Sequence, residues 1–393
     1  VTYAKEGYPV SPVTSKIWNT AYREFSETLT EECFRSWFET FAPDGHAPQP
    51  GEIWRSEAHA KTLEMIAQTH AKAFYRGELA DQIDEFSRKT GGYLRRSDLE
   101  NYWCEWVKPI HINYRGYDVC EIPPNGDGII ALMALNILKG YSFAERDNAD
   151  TVHKQLEAMK LAFADGNRYV ADLDYMKAPV EMLLSDEYAD GRRALIGEQA
   201  LTPEPGNPFC GGTIYLCTAD GEGNMVSYIQ SNYMGFGSGI VIPGTGITLQ
   251  NRGANFTLDE TMENCLGPGK KSLHTIIPGF LMKEGKAVGP FGVMGGFMQP
   301  QGHVQVIMNT VDFLMNPQDA LNAPRWQWIG GKKIQVEKTF PAGIVEELKK
   351  RGHEMEVLES SLSFGRGQII WRDENDVLCG ATEPRADGTV AAW

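Results

Sequence analysis

The chain has 393 residues, 42% hydrophobic and 23% charged, which is globular composition with material for a large core and room for two subdomains. A net charge of −15, with acidic residues scattered and no block of Lys or Arg, argues against a nucleic-acid partner. No apolar run reaches membrane-span length and no signal-peptide pattern opens the chain.

In chain order, residues 12–42 carry helical spacing through Ile17, Trp18, Ala21, Phe25, Leu29, Phe34, Trp37 and Phe38. A second helical tract runs from Ala58 to Phe86, and Gly91-Gly92 stops it. Ser97-Asp98-Leu99-Glu100 has the form of a capping box opening a short helix. Ile110 to Glu121 alternates and predicts a hairpin turning at Arg115-Gly116. Helices are predicted for 129–138, for Thr151 to Val170 and over 179–197. Leu201 to Pro208 is a linker by composition, and behind it the chain turns strand-rich and glycine-rich.

The stretch that follows carries the chemistry. Thr213 to Thr218 alternates with period two, Asp220 to Asn224 is dense in turn formers, and Met225 to Asn232 reads as the returning strand. With Glu222 at the tip, Thr213 lies opposite Ser231, and cross-strand partners sit close enough to interact. Thr213 follows Gly211-Gly212. Two readings stand here. One is an ordinary strand threonine after a glycine turn. In the other, the Gly212–Thr213 bond breaks and the new α-amine serves as base for the threonine's own hydroxyl. An α-amine has a pKa of about 7.7–8.0, so part of it is unprotonated at neutral pH.

Beyond the hairpin, Leu273 to Lys283 and Val288 to Met294 read as buried strands. Gly295-Gly296 ends the second and precedes a helix from about Gln301 to Phe313, an order that presents backbone N–H groups to an anion or oxyanion, or else a turn needed only for packing. A short helical turn is predicted over 319–323 and a helix over 341–352. The glycines of Gly235 to Gly239 form no nucleotide loop, because no helix pattern or Lys-Ser/Thr follows. No histidine pair has metal spacing and no nucleophile elbow is present, so neither metal nor cofactor is expected. The seven cysteines (Cys33, Cys104, Cys120, Cys210, Cys217, Cys265, Cys379) show no CxxC pair and read as free thiols. Cys210, three residues before Thr213, is the one that invites a nucleophile reading.

Taken together, these segments resemble the γ-glutamyltransferase (γ-glutamyltranspeptidase) family of N-terminal-nucleophile hydrolases along essentially the whole chain. The resemblance rests on Gly7 to Ser11, Gly91-Gly92-Tyr93-Leu94 with Asp98-Leu99, Tyr114 to Tyr117 and Glu157 to Lys160. It rests equally on Thr213 to Asn224, Phe236 to Val241, Asn251 to Phe256, Gly295-Gly296, Asn322 to Arg325 and Gly380 to Arg385. It implies an α+β fold, a four-layer αββα sandwich, and a precursor that cuts itself between Gly212 and Thr213. Residues 1–212 would then be the mostly helical large-subunit portion and 213–393 the small-subunit portion, associated as one composite fold, with a homodimer of that unit as a further option. Thr213 would attack a γ-glutamyl amide and pass the acyl group to water or an acceptor amine. By position, Ser231 supports the nucleophile, Gly295 and Gly296 hold the oxyanion, Arg252 and Asn255 hold the glutamyl amine, and His274 and Thr275 bind the glutamyl carboxylate. The resemblance also implies residues upstream of Val1, including an arginine for the substrate carboxylate.

The chain departs from the family pattern at the acyl pocket. The family has an acid where Asn255 stands, a serine pair where His274-Thr275 stands, and often Asn where Tyr233 stands. Losing the acid removes a charge pair with the donor's ammonium, which leaves open an acylase of the same fold acting on glutaryl-type or other N-acyl amides. A catalytically silent relative that binds peptides or amino acids is the alternative from another class; it would stay one chain and be stabilised by ligand without product. The compartment, cytoplasmic or periplasmic/extracellular, stays open.

Overall fold

A computed structural model describes residues 1–203 and 213–393. Cys210, Gly211, Gly212 and most of the predicted linker lie outside the described residues. Packing divides the chain into two units, Val1–Trp106 with Met234–Asn251, and Val107–Tyr233 with Arg252–Trp393.

The first unit is helical. The tract predicted over 12–42 is two helices, Pro12–Thr28 and Arg35–Phe41, separated at Leu29 and a short 3-10 turn. The tract from Ala58 is three, Glu57–Gln68, Lys72–Arg76 and Glu78–Lys89, interrupted where His70 and Ala71 take positive φ and at Gly77. Apolar spacing carries across such breaks because the same face stays buried. The cap near residue 97 also differs. The helix is Arg96–Glu100, and Asp98 accepts from the Arg95 N–H, so Ser97 lies inside the helix instead of capping it. An aromatic core of Trp18, Trp37 and Phe41 closes on Phe236, whose ring centroid is 4.7 Å from that of Phe41 and 5.1 Å from that of Trp37.

The second unit holds the larger core. Its main elements are β1 (Ile110–Tyr114), β2 (Tyr117–Glu121), α1 (Gly128–Leu138), α2 (Ala149–Tyr169), β3 (Thr213–Ala219) and β4 (Met225–Ser231). They continue as β5 (Gly279–Lys283), β6 (Lys286–Met294), α3 (Met298–Val311), β7 (Trp326–Gly330), β8 (Lys333–Glu337) and α4 (Ala342–Lys350). The last three are β9 (Glu354–Leu358), β10 (Arg366–Arg372) and β11 (Leu378–Thr382). A six-stranded sheet runs in the order β11-β10-β6-β5-β2-β1, with antiparallel neighbours throughout. It thus takes strands from both sides of the Gly212–Thr213 position. A smaller sheet has the order β9-β8-β7.

The strand predicted over 273–283 is only β5; residues 273–278 belong to no strand and make a single bridge, at His274 with Gly126. Helix α1 is apolar on every side (GIIALMALNIL) and every residue of it is buried, as expected of a helix inside a core. It lies close on α2, where an added Cβ at Gly166 would run into the Ile130 side chain. Successive residues of β6 face opposite ways. Val293 meets α3 at Gly302, whereas Gly292 meets the ring of Tyr215 on β3. Helices therefore cover one face of the sheet and the β3–β4 hairpin covers the other. No helix of the described residues is long and apolar enough to cross a membrane.

Candidate active site

Hairpin register fixes the first contact. Thr213 pairs with Ser231, and every pair down to Ala219 with Met225 follows without a shift. The pleat then puts Thr213, Tyr215 and Cys217 toward the six-stranded sheet and Ile214, Leu216 and Thr218 outward, where Ile214 is 60% exposed. Thr213 is 7% exposed. Its hydroxyl donates to Ser231 Oγ at 3.0 Å, and that same oxygen accepts the Tyr233 N–H at 2.8 Å. A threonine at the first residue of a strand, buried and bonded to a second hydroxyl, is what the alternation and turn of the sequence predict.

The hairpin is anchored so that Thr213 points toward the end of β6. Its tip, at Gly223, meets Arg372, at the far end of β10. Tyr215 sits on Gly292, its hydroxyl is 2.8 Å from Ser227 Oγ, and Ser227 in turn donates to the Gly279 carbonyl at 2.9 Å. Arg366, at the start of β10, pairs with Met294. Thr213, two residues before Tyr215 and away from the tip, therefore lies on the Met294 side, where Gly295-Gly296 links β6 to α3. Gly295 and Gly296 both take positive φ, and their carbonyls accept the Met298 and Gln299 N–H groups at 3.1 and 3.0 Å. That is the strand, glycine pair, helix order expected of an oxyanion turn.

The four other site residues predicted from the sequence converge on one wall. Arg252 and Asn255 bound a 3-10 turn, Arg252–Asn255. Arg252 is 3% exposed, donates to Thr275 Oγ1 at 3.1 Å, and stacks its guanidinium over the Tyr233 ring at 5.4 Å. Burial lowers the Arg252 pKa to about 10, with Asp127 and Tyr233 opposing the shift, so it remains a cation at neutral pH. Asn255 donates its amide to the Leu273 carbonyl at 2.9 Å. His274 is tied by backbone bonds to Asn125 and Asp127, both 2.9 Å, and burial together with the nearby Arg252 charge lowers its pKa to about 3. A neutral imidazole and a cation therefore stand where the resemblance implies neutral serines and an amine-binding pair.

Two features were not visible in the sequence. Asp127, completely buried beside this wall, lies over a hundred positions before Arg252 and has no motif around it. His153, Glu157 and His353 form a buried cluster whose ligating atoms all lie within 4.8 Å of one another. The cluster spans α2 and the turn between α4 and β9, so spacing arguments miss it. It has the donor set for a metal, yet its hydrogen bonds close on themselves. His153 Nε2–H donates to the Gly197 carbonyl (3.0 Å), His353 Nε2–H donates to His153 Nδ1 (2.9 Å), and Lys160 donates to Glu157 (2.7 Å), the Leu201 carbonyl (3.2 Å) and His353 Nδ1 (3.4 Å). The Lys160 ammonium already fills the place of a cation. Nor does a thiol compete for the nucleophile role on this face, since burial pushes Cys217 up to about 12.

The architecture, α+β with the αββα layering of the N-terminal-nucleophile hydrolases, defines the class of the fold. The γ-glutamyltranspeptidase family model matches residues 1–393. The chain is 36% identical to the glutathione hydrolase-like YwrD proenzyme of Bacillus subtilis, over 99% of this chain and 74% of that one. It is 32% identical to the oxamate amidohydrolase proenzyme of Klebsiella pneumoniae, over 100% of this chain and 74% of that one. Among solved structures, cephalosporin acylase from Bacillus halodurans superposes with a TM-score of 0.96 at 61% identity, covering 100% of this chain and 72% of that one. The chain belongs to the γ-glutamyltranspeptidase family.

Proposed function

We propose that the chain is a self-processing amidohydrolase that cleaves γ-glutamyl-type amide bonds through an acyl-enzyme on Thr213. The observation that carries this reading is the 3.0 Å hydrogen bond between the Thr213 and Ser231 hydroxyls at the first residue of β3. In the precursor, Thr213 Oγ1 attacks the Gly212 carbonyl carbon, and the C–N bond breaks as the hydroxyl proton passes to the departing nitrogen, which becomes the free Thr213 α-amine. Water then hydrolyses the resulting ester, releasing the Gly212 carboxylate and the Thr213 hydroxyl. The amine then takes the hydroxyl proton as Oγ1 attacks the substrate's acyl carbon, and the leaving amine departs with a proton. Water or an acceptor amine finally removes the acyl group. Ser231 accepts from and orients the nucleophile, and the Gly295 and Gly296 N–H groups face the oxyanion. Arg252, Asn255, His274 and Thr275 hold the acyl portion.

Intact mass under denaturing conditions tests this directly. Two fragments, the second beginning at Thr213, are expected, and Thr213→Ala should leave one uncut, inactive chain. Turnover undiminished in that variant would sink the assignment.

A second reading has its own support. Arg252 is a buried cation where the donor's amine is expected and Asn255 carries no charge, which favours donors lacking the ammonium, such as glutaryl amides. The cephalosporin acylase likeness points the same way. Parallel assays with a γ-glutamyl anilide and its glutaryl counterpart separate the two readings.

A further inference from the structure

We propose that Asp127 is a specificity-determining residue for acyl donors that carry an ammonium group, acting through Arg252 by offsetting the guanidinium charge when such a donor binds. The proposal rests on the Thr213 site above and names what sets its substrate class.

Asp127 occupies the N-cap position of α1 but makes no capping bond with its side chain. It is 0% exposed, and neither carboxylate oxygen has a hydrogen-bond partner among the described residues. A buried polar group left unbonded is costly. Its backbone N–H donates to the His274 carbonyl at 2.9 Å, and the next residue, Thr275, receives the Arg252 guanidinium at 3.1 Å. Asp127 and Arg252 thus lean on the same two-residue segment, and what the carboxyl has in place of a hydrogen bond is the Arg252 charge. The other titratable groups around it are Glu121 on β2, Tyr233 and His274.

Burial raises the Asp127 pKa well above its usual value, Arg252 pulls it down, and Glu121 pushes it further up. Burial and Glu121 thus both work against the carboxylate form, while the Arg252 guanidinium beside it, held on Thr275, works for it. A donor that also brings an ammonium adds a second positive charge. That charge favours the Asp127 carboxylate. The proton passes to the buffer, and the new anion offsets the repulsion. A glutaryl donor brings no ammonium and needs no such change. Asn255 cannot do the same, because it does not ionise and its amide is committed to Leu273.

The test is Asp127→Asn in the processed enzyme, with γ-glutamyl and glutaryl p-nitroanilides as donors. Asparagine keeps the shape of the protonated acid but cannot become an anion. The expected result is a γ-glutamyl KM raised about tenfold with kcat little changed, and glutaryl constants unaltered. Equal changes for both donors, or none in the γ-glutamyl KM, would overturn the proposal. Should the variant fail to fold, the wild type supplies the second readout. As pH rises from the ordinary carboxyl range toward neutrality, the γ-glutamyl KM should fall relative to the glutaryl KM, because ionising Asp127 then costs less. A flat ratio overturns the role. A wild type that is uncut and inactive refutes the site and the Asp127 role together, whereas a cut, active enzyme indifferent to Asp127→Asn refutes only the latter.

Discussion

Thr213 and Ser231 depend on each other unequally. In the proposed reaction Thr213 provides both the attacking oxygen and, through its α-amine, the base, so no neighbour could replace it. Ser231 supplies one oxygen that receives two bonds, from Thr213 at 3.0 Å and from the Tyr233 N–H at 2.8 Å. Tyr233 sits at φ 79, a conformation unfavourable for a residue with a Cβ, and the bond to Ser231 Oγ helps hold it there. Ser231→Ala should therefore slow both self-cleavage and turnover, by about a hundredfold in kcat, while leaving donor KM nearly unchanged. A time course of fragment appearance and steady-state kinetics on the cleaved variant check this. A KM effect larger than the kcat effect would mean that Ser231 serves donor binding. The pairing of these two residues is legible from alternation and turn composition, because register along a hairpin is local. The partnership of Arg252 with Asp127 is not, because it is made by two loops meeting at His274-Thr275, and no sequence period records such a meeting.

At the scale of elements, one close packing contact seats the hairpin on β6 beside the Ser227–Gly279 hydrogen bond. An added Cβ at Gly292 would stand 2.5–2.7 Å from the Tyr215 ring, so the glycine is needed for β3 to lie flat on β6. Gly292→Ala should cost about 1–3 kcal/mol and lift Thr213 away from Gly295-Gly296. Thermal denaturation measures the first effect. A drop in cleavage rate larger than in a control variant of equal stability measures the second. Long, strongly periodic elements such as α1, α2 and the hairpins were predicted within a residue or two. Apolar spacing runs the helical tracts of the first unit together, because it is blind to a positive φ at His70 or Ala71.

The junction of α2 with the α4–β9 turn adds a pH dependence. Burial, with the charges of Lys160, Arg351 and Lys332 and the neighbouring His153, lowers the His353 pKa to about 3, and burial lowers that of His153. Both rings are then neutral in the folded state, while the unfolded chain binds their protons near pH 6.5. The stabilisation is fully present above that value and is lost progressively as pH falls toward the folded pKa. Melting temperature should accordingly decline below about pH 6.5, and His353→Ala should flatten that limb of the profile while lowering stability by about 1–3 kcal/mol at pH 8. An unchanged acid limb in the variant would assign the loss to other groups.

For the molecule as a whole, the decisive fact is that the Gly212–Thr213 position does not coincide with a packing boundary. Strands β1 and β2, before it, extend the sheet whose remaining strands lie after it, through the β2–β5 ladder from Tyr117–Lys283 to Cys120–Phe280. Helices α1 and α2, also before it, share one buried core with Phe291 and Val293 of β6, with Val304, Ile307 and Met308 of α3, and with Trp326 and Trp328 of β7. The His153–His353 bond and the Ala200 N–H to Arg351 carbonyl bond (2.7 Å) cross the same divide. Each of those large side chains gains about 1.5–3 kcal/mol from burial, so separating the fragments would expose a sum far above the net stability of a domain. Cleavage should thus leave the two pieces in one particle. Native gel filtration of the processed protein should give a single peak in which denaturing electrophoresis finds both fragments in equal amounts, and only denaturant should part them. Fragments that separate in native buffer, with activity following the Thr213 piece alone, would show that the shared sheet is not what holds the active site together.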